Sequence, residues 1–217
     1  MTPLELLVRL VTAIEVLPGL LRQVVAVGAL VTRHLPVRPA AAYETVSLDL
    51  VLDIRDAEGH RAILTRRQRV RALTGEPVTV RELVWGEGTP LAHYRVRGAS
   101  RLTIVPEGSR AAVLLCLFSG DSARRINTIE SRRLIRNGLR KRHEYCEALV
   151  ERPTGRLAMR VVFPGTRPPK RAELITTPLQ DRPRHLPLRR AADGRPCLTW
   201  RTRRPRLHTI YSLRWTW

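Results

Sequence analysis

The sequence predicts an all-β protein, an antiparallel β-sandwich or partly closed barrel of about ten to twelve strands, preceded by a short N-terminal helical hairpin. Three observations carry this expectation. Beyond residue 43 apolar residues recur on every second position through run after run. Turn residues separate the runs at short intervals. No helical segment regularly divides them, so a βαβ arrangement has no basis.

The first 35 residues differ from the rest. Leu4, Leu7, Val8, Val11, Ile14 and Leu17 sit at helical spacing, Pro18 and Gly19 interrupt, and Leu20, Leu21, Val24, Val25, Leu30 and Val31 resume. Two short amphipathic helices are expected over 1–35, packed on the β-domain or on a partner. Use as a membrane-surface anchor is the alternative. The uncharged stretch at 23–32 is shorter than the ~20 apolar residues a bilayer span needs. Residues 36–42 (PVRPAAA) read as a linker, and 43–217 as the β-domain.

The clearest unit is residues 43–73. Val46, Leu48, Leu50, Leu52 and Ile54 alternate with Thr45, Ser47, Asp49 and Asp53, which puts one set on each face of a strand. Asp56, Glu58 and Gly59 make the turn of a hairpin, and the return strand carries Arg67, Arg69 and Arg71 on alternate positions. Arg66 and Gln68 fall on the face that Leu64, Val70 and Ala72 would bury, which predicts a bulge in the return strand.

Further strands are expected at 78–85, 91–96 and 102–105. Residues 111–118 (AAVLLCLF) are apolar on both faces and predict a central, fully covered strand. Leu149 and Val150 end another; Leu157, Met159, Val161 and Phe163 line one face of the next, and 207–217 alternates as the last. Residues 124–142 fit neither period and leave strand, helix and charged loop open.

A net charge of +20 is the outlying property. Only Lys141 and Lys170 among the 39 basic residues are lysine, so arginine dominates. A GC-rich genome accounts for arginine replacing lysine, but not for 39 basic against 19 acidic residues. A field of this sign attracts polyanions such as nucleic acid or an anionic membrane surface. Cys116, Cys146 and Cys197 are odd in number and widely spaced; they form no disulfide framework and fit a reducing, cytoplasmic setting.

No catalytic signature emerges. The chain has no Gly-rich phosphate loop after a strand, no nucleophile elbow, no paired histidines at metalloprotease spacing and no Cys-x-x-Cys. His143 and Cys146 would share a face on a helix and could form half a metal site or a thiol–imidazole pair. On the strand expected here they point apart. Glu82 with Glu87, or Asp121 with Glu130, could pair for acid–base work, but each sits among arginines that hold a carboxyl ionised. They read as ion-pair partners of a basic surface.

Three basic clusters remain as candidate polyanion contacts. Arg67, Arg69 and Arg71 would project about 6.6–6.8 Å apart from one strand face. Arg132, Arg133, Arg136, Arg140, Lys141 and Arg142 form the densest group, and Arg201, Arg203 and Arg204 the third, with Arg206 nearby. Guanidinium forks suit phosphate, whereas charged strands also simply keep sheet edges solvated. Trp200, Trp215 and Trp217 invite base stacking, but packing is the commoner role of tryptophan in a final strand. The expected function is a non-enzymatic binding module, without cofactor or metal, that engages a nucleic-acid phosphate backbone without reading sequence. The alternative is a protein-interaction or regulatory subunit that docks a partner or a membrane surface through residues 1–33.

Overall fold

The computed structural model describes residues 42–74, 77–84, 93–107, 110–117, 126–178 and 182–217. The helical segment expected over 1–35, and all of the linker except Ala42, lie outside these residues. Among the described residues the regular structure is entirely β, with no helix.

The strands are β1 (Tyr43–Ile54), β2 (Arg61–Ala72), β3 (Val78–Val84), β4 (Arg95–Arg97), β5 (Arg101–Glu107), β6 (Arg110–Leu117) and β7 (Ile126–Arg136). They continue with β8 (His143–Val150), β9 (Arg156–Val162), β10 (Arg171–Thr177), β11 (Arg184–His185), β12 (Arg189–Arg190), β13 (Pro196–Arg203) and β14 (Thr209–Thr216). Three sheets result: a seven-stranded one in the order β12-β13-β9-β1-β2-β7-β4, a four-stranded one in the order β11-β10-β14-β8, and a three-stranded one in the order β3-β6-β5. Each order ends on two different strands, so none of the sheets closes into a barrel. β4 overlaps the strand expected at 91–96, and the extra strands over the expected ten to twelve are β11 and β12, whose two residues each are too short to show alternation.

Among the described strands pairing is antiparallel except between β1 and β9. β1 runs antiparallel to β2 and parallel to β9, with Leu48 opposite Leu157 and Leu52 opposite Val161. The chain reaches β9 from the four-stranded sheet, through 151–155, and a crossover of this kind admits parallel pairing where a hairpin does not. Alternation along a strand carries no information about direction, so the sequence could not show this.

Two hydrophobic cores lie on one face of the seven-stranded sheet. In the first, Leu48, Leu50, Leu52, Leu157, Met159 and Leu198 meet Cys146, Ala148, Leu174, Leu213 and Trp215 of the four-stranded sheet. In the second, Tyr43, Val70, Ala72 and Ile129 meet Val78, Val80, Val113 and Leu115 of the three-stranded sheet. The aromatic residues are packing elements: Trp215 and Trp217 stand edge-on to Phe163 at 5.4 and 5.7 Å, and Trp200 stacks on Tyr211 at 4.9 Å. β6 is central, as expected, but Leu114 and Cys116 are only half-buried. The core at Val113 and Leu115 covers one of its faces.

Between the two cores the sheet carries polar residues on its inner face. β2 pairs with β7 without a slip from Arg61↔Arg136 to Arg71↔Ile126, so the bulge expected in β2 is absent. Arg66 and Gln68 do point inward. Gln68 donates to Thr45 Oγ1 at 2.9 Å and accepts from Arg66 at 2.8 Å. Arg66 pairs with Glu82 of β3 at 3.3 Å, on the same Oε2 that accepts Tyr94 Oη at 2.9 Å and Ser131 Oγ at 2.7 Å. Buried charge is tolerated because it is paired and hydrogen-bonded. The register slip lies in β1 instead, between Thr45 and Ser47, and takes Val46 out of the apolar row while Tyr43 and Thr45 turn inward.

The stretch at 124–142 is a strand for most of its length. Ile129, Ser131 and Arg133 face inward on β7 and alternate with Glu130 and Arg132, and the polar members of the inward row hide the period. β8 settles the His143–Cys146 question. His143 is exposed and Cys146 buried on the opposite face.

The β1–β2 turn depends on two residues. Asp56 accepts the His60 and Arg61 amides at 2.8 and 2.6 Å. Gly59 has φ +75°, and a Cβ there would lie 2.0 Å from the Leu139 carbonyl oxygen. Gly59→Ala should therefore cost about 2–4 kcal/mol in urea unfolding, from left-handed strain plus displacement of the 137–139 backbone. A loss below about 0.5 kcal/mol would contradict this packing.

Burial, helped by the Glu147 carboxylate and opposed by Arg133, pushes the Cys146 thiol up to about 12 from an ordinary 9.0. Between these values the unfolded chain has lost a proton that the folded chain keeps, so stability falls as pH rises, by about 1.4 kcal/mol per pH unit at most. Denaturation measured at about pH 8 and about pH 10 should show a smaller alkaline loss for Cys146→Ala than for the wild type. Equal losses would mean that the thiol is not held protonated.

Candidate polyanion-binding face

The pleat that directs leucines into the cores directs arginines to the other side of the seven-stranded sheet. On β2, Arg61, Arg67, Arg69 and Arg71 are all exposed. Their register partners extend the face in both directions. Arg67 lies opposite Asp49 on β1 and Glu130 on β7, and Glu130 lies opposite Arg97 on β4. Asp49 lies opposite Ala158 on β9, and Ala158 opposite Arg201 on β13. The next row reads Thr199, Arg160, Val51, Thr65, Arg132 and Arg95 across the same six strands. Arg156 and Arg203 sit opposite each other one step further along. Neighbouring strands are about 4.8 Å apart, so the two rows set six arginines across one face, with Asp49 and Glu130 among them.

Two acids, Asp49 and Glu130, flank Arg67 in the middle of this face. Asp49 pairs with Arg156 at 2.7 Å, Asp53 with Arg55 at 2.6 Å and Arg195 at 2.9 Å, and Glu44 with Arg71. Among the described residues no carboxylate lies within ion-pair distance of Arg67, Arg69, Arg95, Arg97, Arg132, Arg160, Arg201 or Arg203. Unneutralised like charges on one surface add their potentials and draw in counter-ions. The outward positions of β1, β2, β4, β7, β9 and β13 carry no aromatic side chain, so this face offers phosphate contacts and no stacking platform.

The candidate residues read from the sequence do not all meet here. Arg67, Arg69, Arg71, Arg132, Arg136, Arg201 and Arg203 share the outer face, and Arg136 contacts His93 at 3.4 Å. Arg133 does not. It lies on the inward row of β7, 8% exposed, where burial lowers its pKa and the Glu82 charge opposes the shift. Inclusion of Arg133 among surface contacts is therefore corrected; its place in a run of arginines concealed an alternation that sends Arg132 out and Arg133 in. Arg140, Lys141 and Arg142 occupy the connection between β7 and β8, off the sheet face, and Arg204 follows β13 with φ +48°.

Arg95, Arg97, Arg156 and Arg160 were missed by cluster-counting because each stands apart from the dense runs. Their signal was present: Arg156 and Arg160 hold the phase opposite to Leu157, Met159 and Val161. Glu82 is buried, at 5% exposure, and serves the interior seam rather than the basic surface. Glu87 and Asp121 lie outside the described residues. Among the described residues no three His, Cys, Asp or Glu side chains are grouped to hold a metal ion. Cys116, Cys146 and Cys197 are free thiols, and no described helix is long and apolar enough to cross a membrane.

No family model matches the chain, and no curated protein matches it. Among solved structures it is similar to the crystal structure of a putative protease from Parabacteroides distasonis ATCC 8503, with a TM-score of 0.50 and 9% identity. The match covers 82% of this chain and 41% of that one, so the chain spans less than half the length of that protein. At such identity the likeness bears on the fold alone.

Proposed function

We propose that this protein is a non-catalytic binding module that engages a polyanion, the phosphate backbone of nucleic acid, through the outer arginines of the seven-stranded sheet. The observation that carries the reading is the pair of cross-sheet rows in which exposed arginines lack carboxylate partners among the described residues. Guanidinium groups bind phosphate through two parallel hydrogen bonds, and no outward residue is arranged to read base edges. The scaffold reads as a sandwich of one wide sheet against two narrower ones, and the free thiols fit a cytoplasmic location. Docking of a protein or membrane surface through residues 1–33 remains the second proposal, and it rests on the amphipathic pattern alone.

Fluorescence anisotropy with a mixed-sequence duplex should show binding whose log affinity falls linearly with log salt, by about 0.9 per phosphate contact. Arg67→Glu, Arg132→Glu and Arg160→Glu should each weaken binding and flatten that slope, with unfolding midpoints changed by less than about 0.5 kcal/mol. Arg140→Glu, off the face, should have a smaller effect. Absence of binding at low salt, or affinity independent of salt, would refute the proposal.

A further inference from the structure

The end of β14 opens into a groove of about 600 Å³. Arg140 and Arg142 line it from the β7–β8 connection, Arg167 and Lys170 from the β9–β10 connection, and Trp217 from between them. The ladder sets this arrangement. β8 and β10 flank β14 on either side. The Trp217 amide donates to the Arg142 carbonyl at 3.1 Å, and the Lys170 amide to the Thr216 carbonyl at 2.8 Å. Arg142 and Lys170 therefore bracket the end of β14 from two strands that lie about 9.6 Å apart, twice the strand spacing.

Arg167 is fixed in advance. Its guanidinium lies over the Trp217 ring, 4.2 Å from the centroid, and donates to the Ala57 carbonyl of the β1–β2 turn. Its own amide closes a turn onto the Pro164 carbonyl at 3.1 Å. Neither the ring nor the carbonyl carries a formal charge, so the positive charge of Arg167 stays uncompensated and its remaining N–H groups can still donate. Among the described residues no acidic side chain lines the groove. Nor does any carboxylate there, the α-carboxylate of Trp217 included, lie within ion-pair distance of Arg140, Arg142, Arg167 or Lys170.

Four like charges in one groove repel one another, and an anion relieves that repulsion in proportion to its own charge. A carboxylate brings one negative charge and two oxygens. A phosphate monoester brings about two charges and three terminal oxygens, enough for donors arriving from both connections to share. A base finds no stacking surface, because Trp217 is only 7% exposed and Arg167 covers its ring. We propose that this groove is a binding site for a terminal phosphate, the dianionic group of a phosphomonoester, held by Arg142, Arg167 and Lys170 with Arg140 at its margin. The site lies off the outer face of the seven-stranded sheet and does not rest on the reading given to that face.

Phosphorus NMR titration of the full chain at about pH 8, with methyl phosphate against dimethyl phosphate, compares a dianion with a monoanion of the same chemistry. Saturable one-to-one binding of methyl phosphate, at least about tenfold tighter than that of dimethyl phosphate, is expected. The double variant Arg142→Gln, Lys170→Gln alters two exposed side chains and should weaken methyl phosphate binding about tenfold or more. Arg132→Gln, on the outer face, should leave it within about twofold while weakening the duplex, which separates failure of this site from failure of that face. Tighter binding of a duplex that carries a terminal phosphate than of one without would assign the site to a strand end. Equal binding of the two duplexes, with methyl phosphate still bound, would assign it to a free phosphomonoester. Equal affinity for the two methyl esters, no saturable binding of methyl phosphate, or undiminished binding by the double variant would each overturn the proposal.

Discussion

The two-residue period of the β1–β2–β7 ladder is the constraint on which the rest of the molecule depends. In a pleated strand, moving the register by one residue exchanges its two faces completely. The eleven consecutive β2–β7 partners, from Arg61↔Arg136 to Arg71↔Ile126, therefore fix two surfaces at once. One is the inner floor on which the narrow sheets pack. The other is the outer array of guanidinium groups. The slip at Val46 is placed where it does least damage, beyond the leucine row, and Gly155 allows the approach to β9 there because a Cβ would come within 2.7 Å of the Val46 carbonyl oxygen.

The polar seam on the inner face explains why two cores exist instead of one. Arg66, Gln68 and Ser131 interrupt what would otherwise be a single apolar floor, and each finds a partner across the seam or from β3. Desolvating Arg66 and Glu82 costs several kcal/mol before pairing, which is recovered only in the arrangement seen, with Tyr94 and Ser131 donating to the same carboxylate. Breaking one partner would leave a charge stranded, at about 3–5 kcal/mol. The seam thereby ties the three-stranded sheet to one position on the wide sheet, since Glu82 on β3 can satisfy Arg66 only there.

Much of this was legible in the residues, and the failures have physical causes. The strands whose inner positions are mostly apolar, β1, β9 and β14, announced themselves by alternation. β2 and β7 misled where inner positions are polar: Arg66 and Gln68 suggested a bulge, and Ser131 and Arg133 left strand, helix and loop equally open. A single-strand pattern cannot reveal that a charged residue has a buried partner on another strand, as Arg66 has in Glu82. Nor can it reveal direction, which is why the parallel β1–β9 pair went unforeseen. For the outer face, the arginine runs gave part of the answer and the scattered arginines of β4 and β9 the remainder. Counting clusters along the chain was the wrong measure, because a sheet gathers its face from strands far apart in sequence.

The outer face and the inner seam draw on the same residue type in opposite settings. Arg67 and Arg132 are solvated and additive in their field, whereas Arg66 and Arg133, their immediate neighbours in the chain, turn inward, Arg66 half-buried against Glu82 and Arg133 buried. The most direct test of the central account is arginine footprinting by phenylglyoxal, read by mass spectrometry with and without a mixed-sequence duplex. The account predicts that Arg67, Arg69, Arg132, Arg160 and Arg201 react freely alone and are protected together by the duplex, while Arg66 and Arg133 resist modification in both states. Protection spread evenly over all exposed arginines, or modification of Arg66 and Arg133 in the folded protein, would contradict it.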